Sequence, residues 1–138
     1  FDGIIRVIKS TNYDYFSNEA KSIFFSQDYL VTKLADRMGM RLDGPSLQNI
    51  VSTNIKSEGL IKGVIQIPAD GKPIILLSDH GTIGGYPKIA TVISADLDKV
   101  GQLIPGKKIN FKEVNLAEAE KAFNEYDKET NRYLNELN

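Results

Sequence analysis

Gly63-Val64-Ile65-Gln66-Ile67-Pro68-Ala69-Asp70-Gly71-Lys72-Pro73-Ile74-Ile75-Leu76-Leu77 is the stretch on which the fold turns. Residues 63–67 carry a strand pattern that stops at Pro68, which has no N–H to give to a ladder. Asp70-Gly71 is a strong turn signal between two apolar runs and predicts a hairpin. The run 74–77 is apolar without a break, as expected of a strand buried on both faces.

Outward from this hairpin the chain keeps the same character. Residues 4–8 are short and β-branched, and 29–32 form a second strand candidate. Residues 36–45 carry two glycines and a proline and read as strand and turn. Residues 81–87 form a glycine-rich loop. Residues 88–94 alternate with Ile89, Thr91 and Ile93 on one side, and 107–114 supply the last strand. Ser17 is placed to cap a short helix ending near Gln27, with Ala20, Phe24 and Phe25 on one face. A second short helix is expected over 96–103, closed by Pro105-Gly106. At the end, Asn115 and Glu118 have capping-box spacing. Leu116, Ala119, Phe123, Tyr126, Thr130, Tyr133 and Leu137 then recur at steps of three and four, one face of a helix about 34 Å long. Leu116, Phe123, Tyr126, Tyr133 and Leu137 are expected to dock it. The division is a barrel over 1–114 and a helix over 115–138, a mostly β chain.

Composition limits the function. The 138 residues hold 41% hydrophobic and 25% charged residues, ordinary usage for one globular domain. Lys and Arg number 17 against 18 Asp and Glu, for a net charge of -1. No basic excess points to nucleic acid and no polybasic patch to a membrane surface. The chain has no cysteine and one histidine, His80. This excludes disulfide scaffolds, thiolate metal sites, a cysteine nucleophile and multi-histidine metal centres. It fits a reducing cytoplasm, the expected location. The start at Phe1 reads as a fragment or a processed chain.

Two stretches carry candidate chemistry. In Ser78-Asp79-His80-Gly81-Thr82-Ile83-Gly84-Gly85-Tyr86-Pro87-Lys88, the paired glycines can present amide N–H groups to an anion. Asp79 and His80 can act as an acid–base pair, and Lys88 can fix a carboxylate. The other reading is a tight loop with solvated charges. No Gly-Lys-Ser/Thr follows, so this is not a nucleotide-binding P-loop. In 36–45, an extended backbone puts Arg37, Gly39 and Arg41 on one face, where two guanidinium groups can clamp a carboxylate or phosphate. The other reading pairs these arginines with Asp36 and Asp43 on the surface. Glu58 in Ser57-Glu58-Gly59 can act as a base beside a close-packed glycine, though a solvated turn carboxylate is the stronger reading.

Taken in order, Arg6-Val7-Ile8, Asp14-Tyr15-Phe16, the 36–45 block, Ser57-Glu58-Gly59, Ile65-Gln66-Ile67-Pro68, Gly71-Lys72-Pro73-Ile74 and Gly84-Gly85-Tyr86-Pro87-Lys88-Ile89-Ala90-Thr91-Val92 resemble the allophanate hydrolase subunit 2 family. That family includes the C subunit of 5-oxoprolinase, the Kip-type regulators and the carboxyltransferase domain of urea carboxylase. The resemblance implies a cyclophilin-like β-barrel, the C-terminal one of two lobes with the site between them. It implies a subunit of an ATP-dependent lactam or amide hydrolase, or of a biotin-dependent carboxyltransferase. The alternative is a non-enzymatic module that binds a histidine kinase or its inhibitor. The expected partners are the N-terminal lobe and either 5-oxoprolinase-type subunits or a biotin carrier. ATP or biotin would act through those partners, with no cofactor or metal held by this lobe, which alone would fold without catalysing. The family's blocks and the chemistry together give Asp79, His80 and Lys88 as catalytic candidates, and Arg37, Arg41, Gly84, Gly85 and Tyr86 as substrate-binding ones.

Overall fold

The computed structural model describes residues 2–33, 39–48, 59–60, 62–77, 80–82 and 86–136, apart from the side chains of 59–60, 80–82 and 133. Nine strands are described: β1 (Ile4–Lys9), β2 (Tyr29–Val31), β3 (Gly39–Asp43), β4 (Gly59–Leu60), β5 (Val64–Gln66), β6 (Ile74–Leu76), β7 (His80–Thr82), β8 (Lys88–Val92) and β9 (Lys108–Glu113). The helices are α1 (Asn18–Ser26), α2 (Leu97–Gly101) and α3 (Leu116–Glu136).

Seven strands close a barrel in the order β1-β8-β5-β6-β3-β2-β9. Closure leaves these strands no open edge. The predicted hairpin is β5–β6, with Ile65 opposite Ile75 and Gln66 opposite Ile74. Its turn is tight at Gly71, where φ is +79° and an added Cβ would lie 2.2 Å from Ser46 Oγ. Only glycine meets both conditions. Pairing is antiparallel throughout the barrel except between β1 and β9, which run parallel. β4 and β7 pair in a separate two-stranded ribbon, so the glycine-rich stretch begins as strand at His80–Thr82 rather than as loop.

The barrel interior is filled by side chains that alternate inward: Ile5 and Val7, Met40 and Leu42, Ile109 and Phe111. Helix α1 packs against β9, with Ala20 and Phe24 in the core. Ser17 Oγ accepts from Ala20 N–H at 3.1 Å and caps it. Phe24, fully buried, stacks on Phe111 with centroids 4.6 Å apart. The expected alternation of Ile89, Thr91 and Ile93 does not hold. Register shifts between Ile65 and Gln66 leave Ile89 as an extra residue opposite β5. After this bulge Ala90 and Val92 join Ile89 in the core, while Ile93 packs in a second cluster outside it.

That second cluster seats α3. Asn115 and Glu118 form the capping box, with Glu118 N–H donating to Asn115 Oδ1 at 2.8 Å and Asn115 N–H to Glu118 Oε1 at 3.2 Å. The docking face agrees with expectation at Tyr126 and differs at Leu116 and Phe123. Ala119, Ala122 and Tyr126 pack against Ile93, Ala95 and Val114, while Leu116 is 68% and Phe123 47% exposed. Two alanines let the helix axis come close to the barrel wall, and the Tyr126 hydroxyl donates to Asp98. The face led by Leu116 and Phe123 is rotated off this contact. Tyr133 and Leu137 lie outside the described side chains.

Candidate functional site

The outer face of the barrel carries the polar residues of interest. On β3, Met40 and Leu42 fill the core, so Gly39 and Arg41 face outward. On β6, Ile75 is in the core and Ile74 and Leu76 face out. On β5, Ile65 and Ile67 are in the core, so Val64 and Gln66 face out. The bulge at Ile89 turns Lys88 to the same side. The registers Arg41↔Ile74, Ile74↔Gln66 and Gln66↔Lys88 then set these four residues in one row across four strands.

The row grades from open to covered. Arg41 is exposed and Ile74 half-buried. Gln66 is 2% and Lys88 5% exposed. Strand spacing puts Gln66 and Lys88 about 5 Å apart at the backbone. Val64 and Leu76, on the same face, are also buried and touch each other. β3 approaches β6 closely there: a Cβ on Gly39 would sit 2.7 Å from Ile74 Cγ2.

Lys88 is held at its backbone by Asn12, itself buried. Lys88 N–H donates to Asn12 Oδ1 at 3.0 Å, and Asn12 N–H donates to the Lys88 carbonyl at 3.2 Å. Arg41 is anchored through its carbonyl, which accepts from Thr32 N–H and Thr32 Oγ1. Its guanidinium has no carboxylate partner among the described residues. Asp43 bonds Lys72 Nζ at 2.9 Å instead, and that bond holds the Asp43 carboxyl below the usual carboxylate range. The expected surface pairing of Arg41 with Asp43 is not formed, and Asp36 and Arg37 lie outside the described residues. Thr32, Arg41, Asp43, Asp70 and Lys72 line a cleft of about 310 Å³.

The other candidates divide. Tyr86 is 40% exposed two residues before Lys88. The backbone of His80 pairs with Leu60 in the ribbon. Arg37, Asp79, Gly84, Gly85 and Glu58 lie outside the described residues. The structure thus sets Arg41 and Lys88 in one register row that runs round the outside of the barrel, three strands apart. Gln66 stands in the same register row and is absent from the candidates read in the sequence. The signal was a glutamine between Val64, Ile65 and Ile67, inside a strand otherwise apolar.

One buried charge pair lies elsewhere. Asp96 is fully buried and accepts from Arg6 N–H at 2.8 Å, Nε at 3.1 Å and Nη2 at 2.6 Å. Burial pushes its carboxyl up, but the Arg6 hydrogen bonds and the nearby charges of Arg6 and Lys99 outweigh this and leave it below the ordinary value. The pair ties β1 to the turn before α2 and is architectural. No group of three His, Asp or Glu among the described residues could hold a metal ion, and no described helix is long and apolar enough to cross a membrane.

Residues 2–113 match the family described as carboxyltransferase domain, subdomain A and B. The chain is 36% identical over 118 residues to the 5-oxoprolinase C subunit of Escherichia coli (strain K12), covering 86% of this chain and 38% of that protein. It is 37% identical, with the same coverage, to the 5-oxoprolinase C subunit of Haemophilus influenzae. The crystal structure of Kluyveromyces lactis urea carboxylase is similar with a TM-score of 0.82 and 29% identity, over 91% of this chain and 12% of that one. The chain spans well under half the length of the curated relatives it matches.

Proposed function

The chain belongs to the carboxyltransferase-domain family, subdomains A and B, and on that premise we propose that it is the C-terminal lobe of a protein like the 5-oxoprolinase C subunit. In this reading the parent protein is one subunit of a complex that opens the lactam of 5-oxoproline to glutamate at the expense of ATP. The observation that carries it is the 36–37% identity to two 5-oxoprolinase C subunits over 86% of the chain.

The barrel's outer row supplies parts suited to such a substrate. 5-Oxoproline has a carboxylate and a lactam. Arg41, exposed and without a described carboxylate partner, is available to hold a carboxylate. Lys88, nearly fully buried, is the proposed group that favours negative charge gathering on a carbonyl oxygen. Asp79 remains the proposed base, with His80 beside it, and the Gly84-Gly85 amides the proposed oxyanion donors, next to Tyr86. ATP supplies the drive for ring opening through a partner subunit, and no step is assigned to a nucleotide or metal on this lobe.

A second reading is transfer of a carboxyl group from a biotin carrier onto an amide or urea nitrogen, favoured by the TM-score of 0.82 to urea carboxylase. The test is an assay of the full-length protein with its neighbouring subunits for ATP-dependent glutamate release from 5-oxoproline, with and without avidin. Release unaffected by avidin supports lactam hydrolysis. Avidin-sensitive carboxylation without glutamate release supports the second reading. Neither activity, with tight binding to another protein, would support the non-enzymatic Kip-type role.

A further inference from the structure

We propose that the exposed side of α3, with the cleft beside it, docks an amphipathic helix of another protein whose apolar stripe is bordered by Lys or Arg. α3 lies beyond residues 2–113, the part that matches the family, so this surface stands apart from the proposed reaction.

The cleft has a volume of about 470 Å³ and lies between α3 and the outer wall of the barrel. Ile8 on β1, Thr91 on β8, Ile93 and Leu97 line it from the barrel side, and Leu116 and Phe123 from the helix. Leu116 is 68% and Phe123 47% exposed, and further along Leu134 is 50% exposed. At about 100° per residue these three fall within about 20° of one another on the helix. They form a stripe separate from Ala119, Ala122 and Tyr126, which seat α3 on the barrel. From Asp127 to Glu136 every described side chain except that of Thr130 is exposed, and none joins a described core cluster. That segment is about 15 Å long. A helical segment this short is marginal in water, because most helix stability comes from packing an apolar face.

The charges decide which partner fits. α3 carries six acidic and three basic residues. Lys121, Lys128 and Arg132 sit about 120–160° round from Leu116 and point away from the stripe. Glu120 and Asp127, both exposed, border the stripe within about 40°. Glu120 also lines the cleft, where Lys62 is the one cation among the described lining residues. A second copy packed antiparallel on this stripe would set acidic margin against acidic margin, and packed parallel the opposing margin of α3 supplies no cation. A helix with Leu or Phe along one stripe and Lys or Arg beside it meets both demands. Its apolar residues fill the cleft against Leu116 and Phe123, and its cations meet Glu120 and Asp127. Those two acids stand two turns apart, about 10 Å along the axis, so the matching cations are also two turns apart.

The test uses the full-length protein and two synthetic helical peptides with the same leucine stripe, one flanked by lysine and one by glutamate. Binding is measured by fluorescence anisotropy, and hydrogen exchange follows α3 with and without peptide. The expected result is that the lysine-flanked peptide binds about tenfold or more tightly than the other and slows exchange over 127–136. Glu120→Lys with Asp127→Lys abolishes or inverts the preference while the melting temperature stays within about 2 °C. Glu19→Lys with Asp28→Lys, the same charge change at exposed acids on α1 and just before β2, leaves it as in the wild type. Leu116→Ser with Phe123→Ser weakens both peptides. The proposal is overturned if neither peptide binds, or if the two charge reversals act alike, which would mean attraction to net charge only. It is also overturned if 127–136 is already protected in the free full-length protein, since a second copy, seen by sedimentation, or another part of the parent chain would then cover the face.

Discussion

Replacing Asp96 by alanine should lower the melting temperature of the chain by about 10 °C. Its carboxylate is fully buried and takes three hydrogen bonds from Arg6, with Lys99 Nζ 3.4 Å away. Removing one partner of a buried ion pair costs about 3–5 kcal/mol, because the other is left unpaired. Arg6 is one-third exposed, so its guanidinium recovers water and the cost falls near the lower limit, about 3 kcal/mol. Unfolding entropy scales with chain length, and for 138 residues that cost corresponds to about 10 °C. Arg6→Met should cost more than Asp96→Ala, since it leaves a carboxylate with no exposure of its own only the backbone N–H of residue 6 and Lys99. Acid adds a second readout. The Asp96 carboxyl lies below its ordinary value in the folded chain. Its contribution is therefore complete above the unfolded value near pH 4 and is lost as pH falls through the folded one. Asp96→Asn should flatten the acid limb of the stability curve. Thermal melts by circular dichroism between pH 2 and pH 7 decide it. A shift under about 2 °C for Asp96→Ala at pH 7, or the reverse order of the two variants, would refute the reading of this pair as a structural tie.

Gly39→Ala should destabilise by about 1–3 kcal/mol, since the new methyl meets Ile74 Cγ2 at 2.7 Å on a rigid β-branched side chain; urea unfolding measures it. Phe24→Ala should cost about 3–5 kcal/mol by removing the ring stacked on Phe111, again by urea unfolding. Asn115→Ala removes one half of the capping box and should cost about 1 kcal/mol, seen as faster amide exchange in the first turn of α3. Arg41→Met should leave the melting temperature within about 2 °C, having no described ion pair to break, while glutamate release by the complete complex falls by about tenfold or more.

Much of the fold was legible because the decisive signals were local. Asp70-Gly71 set the hairpin, Ser17 the start of α1, and Asn115 with Glu118 the start of α3. Each depends on neighbours within a few residues. The parallel pairing of β1 with β9 joins strands about a hundred residues apart, and nothing local marks it. The bulge at Ile89 inverted the expected alternation because an extra residue is visible only against the partner strand. The face of α3 was legible at Ala119 and Tyr126, which pack in the seating cluster, but Leu116 and Phe123 lie off the contact and Ala122 takes their place. At the candidate site, Arg41 and Lys88 were readable as charges in peculiar surroundings. Gln66 was not, since its meaning comes from being buried on the outer side of a barrel whose closure brings β5 between β6 and β8.

The most direct test of the account is ATP-dependent glutamate release from 5-oxoproline by the full-length protein assembled with its partner subunits, compared between wild type and Arg41→Met. The account predicts release in step with ADP formation, indifferent to avidin, and lost with Arg41 while the assembly and its melting temperature are preserved. Full glutamate release by the Arg41→Met complex would contradict the placement of the substrate on the barrel's outer row, and carboxylation of urea with no glutamate release would contradict the reaction itself.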